Sequence, residues 1–374
     1  MPSFGTLLLA AWTLLALYVV GRAAGVPWVA RRVPRRILFP AAGLLWASFA
    51  LAQGLGHGGG SLTAALEQLG LTALAVLFLL ALPLLAVDAV TGFGLFARRA
   101  APRLRGAALV AGGAMAVVAF VQGHRAPVVS AYEVRLPGLP AALDGTTLVA
   151  LADLHLGSVL GEGWLASRIT QVQALRPDAV VLLGDLFEGH GAPPERFQPL
   201  LARIDAPLGV WAVTGNHEFH GGRGAVGVPP APAVAGVRLL RDQWVQVRPG
   251  LVLAGVDDLT SRVREGRGAA AVAAALADRP PGATVLLSHS PLEAGRAAAA
   301  GAGLMLSGHT HAGQIWPFGL LVKRRYPFFA GRYDVAGMTL IVSRGTGTWG
   351  PRMRLWRPGE ILKITLRPAA PPGT

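Results

Sequence analysis

Thr146-Thr147-Leu148-Val149-Ala150-Leu151-Ala152 runs directly into Asp153-Leu154-His155. A short apolar run that stops on a charged residue reads as a buried strand with polar side chains at its carboxyl end. The arrangement returns along the chain. Residues 179–183 end in Gly184-Asp185, and 210–213 lead to Gly215-Asn216-His217-Glu218. Residues 284–287 precede Ser288-His289, and 303–306 precede Gly308-His309-Thr310-His311. Further apolar runs fall at 251–256, 338–342 and 361–366, and 164–175 reads as a helix. Short apolar runs bounded by Gly, Pro and Asp, several separated by helical stretches, argue an α/β domain. In such sheets sites form beyond the carboxyl ends of strands. Five polar clusters far apart in sequence are therefore expected to converge.

The residue types in those clusters select the chemistry. They are Asp, Asn and His, and the chain of 374 residues has no cysteine. That excludes a thiolate metal site, a cysteine nucleophile and a disulfide scaffold. Imidazole with carboxylate suits Zn, Fe or Mn better than Ca or Mg. Two Asp, one Asn and four His are more than one tetrahedral ion needs. A carboxylate at Asp185 could bridge two ions roughly 3.5–4 Å apart. In Asp153-x-His155 and His309-x-His311, residues i and i+2 would face one side of an extended strand. The glycines before Asp185, Asn216 and His309 would let the backbone turn tightly.

The order D-x-H, G-D, G-N-H-E, H, G-H-x-H resembles the calcineurin-like metallophosphoesterases. The resemblance covers about residues 148–366. It extends through Gly308-His309-Thr310-His311-Ala312-Gly313-Gln314-Ile315 and Ser343-Arg344-Gly345-Thr346-Gly347 to Met353-Arg354-Leu355. These stretches look like the membrane-attached or exported bacterial branch. The resemblance implies a four-layer α/β/β/α sandwich with two divalent metal ions at one edge. One ion would take Asp153, His155, Asp185 and His311. The other would take Asp185 as bridge, Asn216, His289 and His309. His217 would lie near the leaving group as general acid or phosphate contact, with Glu218 orienting it as a catalytic partner. The activity implied is phosphoester hydrolysis.

The first third is of another kind. Hydrophobic residues make up 52% of the chain and charged residues 14%, and the mean hydropathy of +0.48 points to membrane segments. Long runs with few or no charges fall at about 4–21, 37–56, 69–97 and 106–123, each long enough to cross a bilayer. The expectation is an all-α, four-helix transmembrane region over 1–124, a catalytic domain over 125–367 and a loose tail at 368–374. All nine arginines before residue 124 lie in two clusters, Arg22 to Arg36 and Arg98 to Arg105, while 57–68 has no Lys or Arg. Positive loops stay cytoplasmic, so a multi-pass integral membrane protein with its catalytic domain outside the cytoplasm is expected. Arg35-Arg36 before an apolar run also resembles a twin-arginine signal, but a helix precedes it and an anchor loop fits better. Asp88, inside the third run, is expected near the cytoplasmic end of its helix, at little cost.

The net charge is +14, and only Lys323 and Lys363 are lysines. Without the nine arginines and two acids before residue 124, the remainder carries 25 basic and 18 acidic residues, a net of +7. That would attract an anionic substrate. Trp316-Pro317-Phe318-Gly319-Leu320-Leu321-Val322 is followed by Lys323-Arg324-Arg325-Tyr326-Pro327-Phe328-Phe329. Aromatics beside cations suit a membrane interface; the alternative is a loop folded into the domain's own core. The expected partners are a lipid bilayer and a phospholipid or lipid pyrophosphate substrate. A soluble phosphodiester or nucleotide substrate is the alternative, followed by a non-catalytic metal-binding transport or sensor protein. No interleaved aromatic platform suggests nucleic acid. Arg344 and Arg352 are candidate phosphate contacts, and His190 and His220 candidate rim residues. His57 falls in the loop between the second and third runs, and Asp257-Asp258 reads as a turn or helix cap.

Overall fold

The computed structural model describes residues 4–54, 60–188, 193–222 and 236–369. His57, His190, the side chain of His220, the last residues of the expected second span and the tail from 370 on lie outside the described residues. The chain divides into two units, one running to His124 and taking in Gly350–Trp356, the other formed by Arg125–Trp349 and the residues from Arg357 on.

The first unit is helical: α1 (Phe4–Ala23), α2 (Pro27–Arg32), α3 (Arg35–Gly54), α4 (Ser61–Val90) and α5 (Ala101–His124). Stretches within α1, α4 and α5 are long and apolar enough to cross a membrane: Gly5–Ala23, Leu62–Val90 and Ala101–His124. The third apolar run is displaced from its expected bounds. Its helix starts at Ser61, absorbing residues expected in a loop, and stops at Val90. There Gly92 and Phe93 take φ of +55° and +57°, a left-handed turn that no helix continues through. Trp12 is buried, donates to the Gly70 carbonyl at 3.2 Å and stacks on Phe49. Leu14, Leu44, Val110 and Val117 face outward, as side chains of a lipid-solvated bundle do. Asp88 is not at the surface: it is fully buried, at 2.7 Å from Arg22 Nε, 2.6 Å from Arg105 Nη2 and 2.9 Å from the Tyr18 hydroxyl.

The second unit contains two six-stranded sheets. Its elements are β1 (Val128–Leu136), β2 (Thr147–Leu151), α6 (Glu162–Ala174), β3 (Ala179–Leu183), α7 (Gln198–Leu201), β4 (Val210–Val213), β5 (Val237–Leu239), β6 (Gln243–Arg248), β7 (Leu251–Gly255), α8 (Leu259–Arg264), α9 (Gly268–Leu276), β8 (Ala283–Leu287), α10 (Ala294–Ala299), β9 (Leu304–Ser307), α11 (Phe318–Arg325), β10 (Gly331–Val335), β11 (Met338–Val342) and β12 (Glu360–Pro368). The strand orders are β1-β12-β2-β3-β4-β5 and β10-β11-β9-β8-β7-β6. The central pairs β2–β3, β3–β4, β7–β8 and β8–β9 are parallel.

The period-two alternation of the strands builds the layers. Leu148 and Ala150 of β2, with Ala179, Val181 and Leu183 of β3, face Leu251, Leu253, Val285, Leu287 and Leu304 of the other sheet. Val149, Leu151, Val180 and Leu182 point the other way, onto Leu165, Ile169 and Val172 of α6. Ala254, Leu286 and Met305 do the same for α9 and α10. Strands covered on both faces read as unbroken apolar runs, and helix, sheet, sheet and helix stack as four layers. Residues 318–325, expected as a loop, form a helix. Pro368 closes β12, and the Ala369 amide donates to the Leu136 carbonyl at 3.1 Å.

Candidate metal centre

The central strands of both sheets end in the site. Asp153 and His155 follow β2, Asp185 follows β3, Asn216 and His217 follow β4, His289 follows β8, and His309 and His311 follow β9. Two pairs are not held as an extended Asp-x-His or His-x-His would hold them. Asp153, His155, Asp185, His309 and His311 all take positive φ, between +45° and +70°. Side chains other than glycine enter that region at a cost, of order 1–3 kcal/mol each where strained. Left-handed turns, rather than strand alternation, aim five of the seven expected ligands. The glycines serve close approach as well as turning. A Cβ on Gly215 would land on the Asp185 carboxylate, and one on Gly308 would stand 2.6 Å from Asp153 Oδ2.

The side chains form a cage. Asp153, His155 and His311 each offer an atom within 4.8 Å of the others, as do His155, Asp185 and His217, and Asp185, His289 and His309. His155 Nε2 lies 3.1 Å from His311 Nε2, and His309 Nδ1 lies 3.1 Å from His289 Nε2. Asn216 Oδ1 is 3.1 Å and Asp185 Oδ2 3.2 Å from that same His289 nitrogen. His155 Nε2 to Asp185 Oδ2 is 3.8 Å, and His311 Nε2 to Asp153 Oδ1 is 3.7 Å. Nitrogen and oxygen ligands at tetrahedral corners around one ion stand about 3.3–3.4 Å apart. The spacing and the donor set both fit two neighbouring ions with Asp185 between them.

Hydrogen bonds behind the cage orient the rings. His289 Nδ1 faces the Leu183 carbonyl at 2.8 Å, leaving Nε2 inward. His217 Nδ1 faces the Glu188 carbonyl at 3.0 Å. His155 Nδ1 is 2.7 Å from Glu188 Oε2. His309 turns Nδ1 inward and sets Nε2 2.6 Å from the Tyr326 hydroxyl. The His309 amide donates to both Asp153 oxygens, at 3.0 and 3.2 Å, linking the ends of β2 and β9. Thr346 and Gly347 amides donate to the carbonyls of Ala152 and Asp153.

Burial opposes every charge here, and the neighbours decide the outcome. Burial raises the Asp153 carboxyl, and His289 only partly offsets this. Burial also works against the Asp185 carboxylate, yet His289, followed by His217 and His155, holds it well below the usual range. Burial would strip the proton from His155, but Glu188, with Asp185 and Asp153 behind it, pushes the imidazole up to about 9. His309 goes the other way: burial and the neighbouring His289 charge bring it down to about 3.

The comparisons with known proteins meet this geometry. Residues 146–313 match the family model described as calcineurin-like phosphoesterase. A metallophosphoesterase from Aquifex aeolicus is 31% identical, the alignment taking 64% of this chain and 91% of that one. The chain belongs to the calcineurin-like metallophosphoesterase family. Cattle and zebrafish proteins named transmembrane protein with metallophosphoesterase domain are each 33% identical to this metallophosphoesterase, over 68% and 70% of its length. It spans about three fifths of those relatives, 60% and 62%.

Within this metallophosphoesterase, several side chains lie elsewhere than the sequence suggests. Glu218 is held by backbone amides. Its buried carboxylate accepts from the amides of Gly215 (2.6 Å), Asp185 (2.9 Å) and Leu186 (2.8 Å), locking two ligand turns together. A carboxylate one position beyond His217 points back along the turn, where unpaired amides hold it. Arg344 is engaged by Glu360 at 2.9 Å, and Arg352 belongs to the helical unit. Asp258 is the helix cap that the sequence suggests, accepting from the Thr260 amide and hydroxyl ahead of α8, while Asp257 pairs with Arg241 and Arg262. Glu188 and Tyr326 were not legible as site residues. Glu188 is three positions beyond Asp185, and a lone acid in a loop carries no signal of its own.

Proposed function

We propose that this chain is a membrane-anchored phosphoester hydrolase that uses two divalent ions, with a phospholipid or lipid pyrophosphate as substrate. The observation that carries the reading is the cage: ring nitrogens of His155, His289, His309 and His311 and side-chain oxygens of Asn216, Asp153 and Asp185 face one another at 3.1–3.8 Å. Asp153, His155, Asp185 and His311 would hold one ion, and Asp185, Asn216, His289 and His309 the other. Bound there, divalent ions supply charge to the phosphate oxygens and acidify the attacking water.

The chain's own residues do the rest. Asp185 is oriented by the His217 amide, which donates to its Oδ1 at 2.8 Å. Glu218 fixes the turns that carry both. His217, its Nδ1 facing the Glu188 carbonyl at 3.0 Å, stands beside His155 and Asp185, placed to serve the leaving oxygen as general acid or phosphate contact. The net charge of +7 after residue 124 draws the anion in. Among the described residues three helices, α1, α4 and α5, are long and apolar enough to cross a membrane; with α3 as a fourth span both arginine clusters stay inside and the catalytic domain lies outside the cytoplasm. The lipid assignment draws support from those spans and from the aromatic and basic residues of 316–329.

Elemental analysis of the purified chain, followed by hydrolysis of a soluble chromogenic phosphodiester and of lipids in mixed micelles, tests this. About two divalent ions per chain and chelator-sensitive turnover, faster on lipid, are expected. A chain that binds no metal would overturn the reading. A metal-loaded chain inactive on every phosphoester would turn it into a binding or sensor protein, and preference for the soluble diester would remove the lipid.

A further inference from the structure

The apolar and basic segment next to the site divides by face. Its inner side is tied to the metal-ligand loop. Thr310 Oγ1 donates to the Phe329 carbonyl at 2.6 Å, and Tyr326 meets His309 Nε2 at 2.6 Å. Gly319 approaches Gly313 so closely that a Cβ on Gly313 would overlap the Gly319 backbone. Phe329 is buried. The outer side is bare: Trp316, Leu320 and Leu321 are 46%, 60% and 61% exposed. Gln314 exchanges two 2.9 Å hydrogen bonds with the backbone of Trp349, adding a second half-exposed tryptophan to the ledge. Lys323, Arg324 and Arg325 follow directly, exposed, with Lys323 over the Phe329 ring and Arg325 over the Tyr326 ring.

A segment folded into its own core would not leave its leucines and tryptophan in water beside three cations. We propose that α11 and its flanking tryptophans dock on an anionic lipid bilayer. Trp316, Leu320 and Leu321 enter the boundary between headgroups and acyl chains, and Lys323, Arg324 and Arg325 meet the lipid phosphates. The charge of the segment selects that occupant, since three cations in succession with no acid between Trp316 and Ala330 complement a phosphate surface. The chain's own apolar helices make a bilayer the surface always at hand. Because Tyr326 holds His309, a docked α11 sets the metal centre at headgroup depth, where the phosphate of a lipid is within reach. That last consequence rests on the hydrolase reading; the docking does not.

The absence of native cysteine gives a direct test. Full-length Leu320→Cys carries a nitroxide label in nanodiscs containing phosphatidylglycerol, with Leu321→Cys as a second site. Ala273→Cys, on the exposed side of α9, is the comparison. Oxygen and a water-soluble nickel chelate then report depth. The labels at 320 and 321 are expected roughly 5–10 Å below the headgroup boundary, as for an interfacial helix. The label at 273 stays in water, and replacing phosphatidylglycerol by neutral lipid moves 320 toward it. A nickel accessibility at 320 equal to that at 273 overturns the docking. So does protection from both probes with spin–spin broadening, which would mean a second copy covers the face. Hydrolysis of the soluble diester in the same discs keeps the two readings apart: activity with a water-exposed label sinks only the docking, and a buried label without activity sinks only the hydrolase.

Discussion

Asp88 in the helical unit and Asp185 in the α/β unit are both buried carboxylates, at 0% and 2% exposure. Around Asp88 stand two guanidinium groups and a phenol: Arg22, Arg105 and Tyr18. Around Asp185 stand imidazoles, His289 at 3.2 Å and His155 at 3.8 Å. Arginine does not give up its proton in a protein, so the charge opposite Asp88 is permanent and the contact joins α1, α4 and α5. Imidazole can exchange a proton for a metal ion. The partners of Asp185 are therefore the kind that can be replaced by another cation, and those of Asp88 are not. A buried acid by itself says little about function; the exchangeability of the cation facing it says more.

The largest test of the comparison is Asp185→Asn. It keeps the shape and removes the charge that the two proposed ions would share. Loss of charge stabilisation worth several kcal/mol corresponds to a rate fall on the order of 10³-fold or more. Elemental analysis should show at least one ion lost, with circular dichroism unchanged. Full metal content and full turnover would mean Asp185 is as structural as Asp88.

Asp88→Ala should do the reverse. Two arginines lose their counter-charge, which costs about 3–5 kcal/mol at a fully buried site. Arg22 keeps 29% of its side chain exposed, so roughly 2–3 kcal/mol is expected after screening. The helical unit should become protease-sensitive in nanodiscs while metal content and turnover per folded molecule persist. Lost metal with an intact bundle would break the distinction.

Much of this was readable from the residues, and the reason is geometric. Strands covered on both sides must be apolar throughout, so β2, β3, β7, β8 and β9 announce themselves, and their polar ends mark the site edge. Backbone conformation was not readable. Nothing in Asp153-Leu154-His155 signals φ of +55° and +45°, because those angles are imposed by amides arriving from elsewhere, such as His309 on the Asp153 carboxylate. Helix ends were also missed. Residues 61–68 are mixed in polarity, yet they extend α4, since propensity and packing continue a helix after apolarity stops. Glu188 and Tyr326 escaped for a third reason: each acts through a histidine of another segment, His155 after β2 for Glu188 and His309, 17 residues earlier, for Tyr326.

Glu188→Gln sharpens the comparison at smaller scale. It keeps the hydrogen-bonding shape behind His155 but removes the charge that makes that ring basic. Removing a partner of this kind typically costs 10–100-fold in metal affinity or activity. Competition with a chromogenic chelator should find that loss with the fold intact. Unchanged affinity would leave Glu188 as a bystander.

The smallest effect is in pH, and its sign separates the two acids. In the metal-stripped chain His155 is raised to about 9, burial being outweighed by Glu188, Asp185 and Asp153. A histidine raised above its ordinary value of about 6.5 contributes stability fully below that value. The contribution is lost as pH climbs through the folded value. The stripped α/β unit should therefore melt at progressively lower temperature between about pH 6.5 and 9. Metal uptake runs the opposite way, because an ion must displace the proton. Affinity should rise about tenfold per pH unit for each imidazole that sheds one, and the loaded protein should lose the pH slope of the stripped one. Asp88 faces Arg22, Arg105 and Tyr18 instead of imidazoles. A stripped protein whose melting temperature is level from pH 6.5 to 9, with metal affinity equally level, would show that the cations around Asp185 are as fixed as those around Asp88.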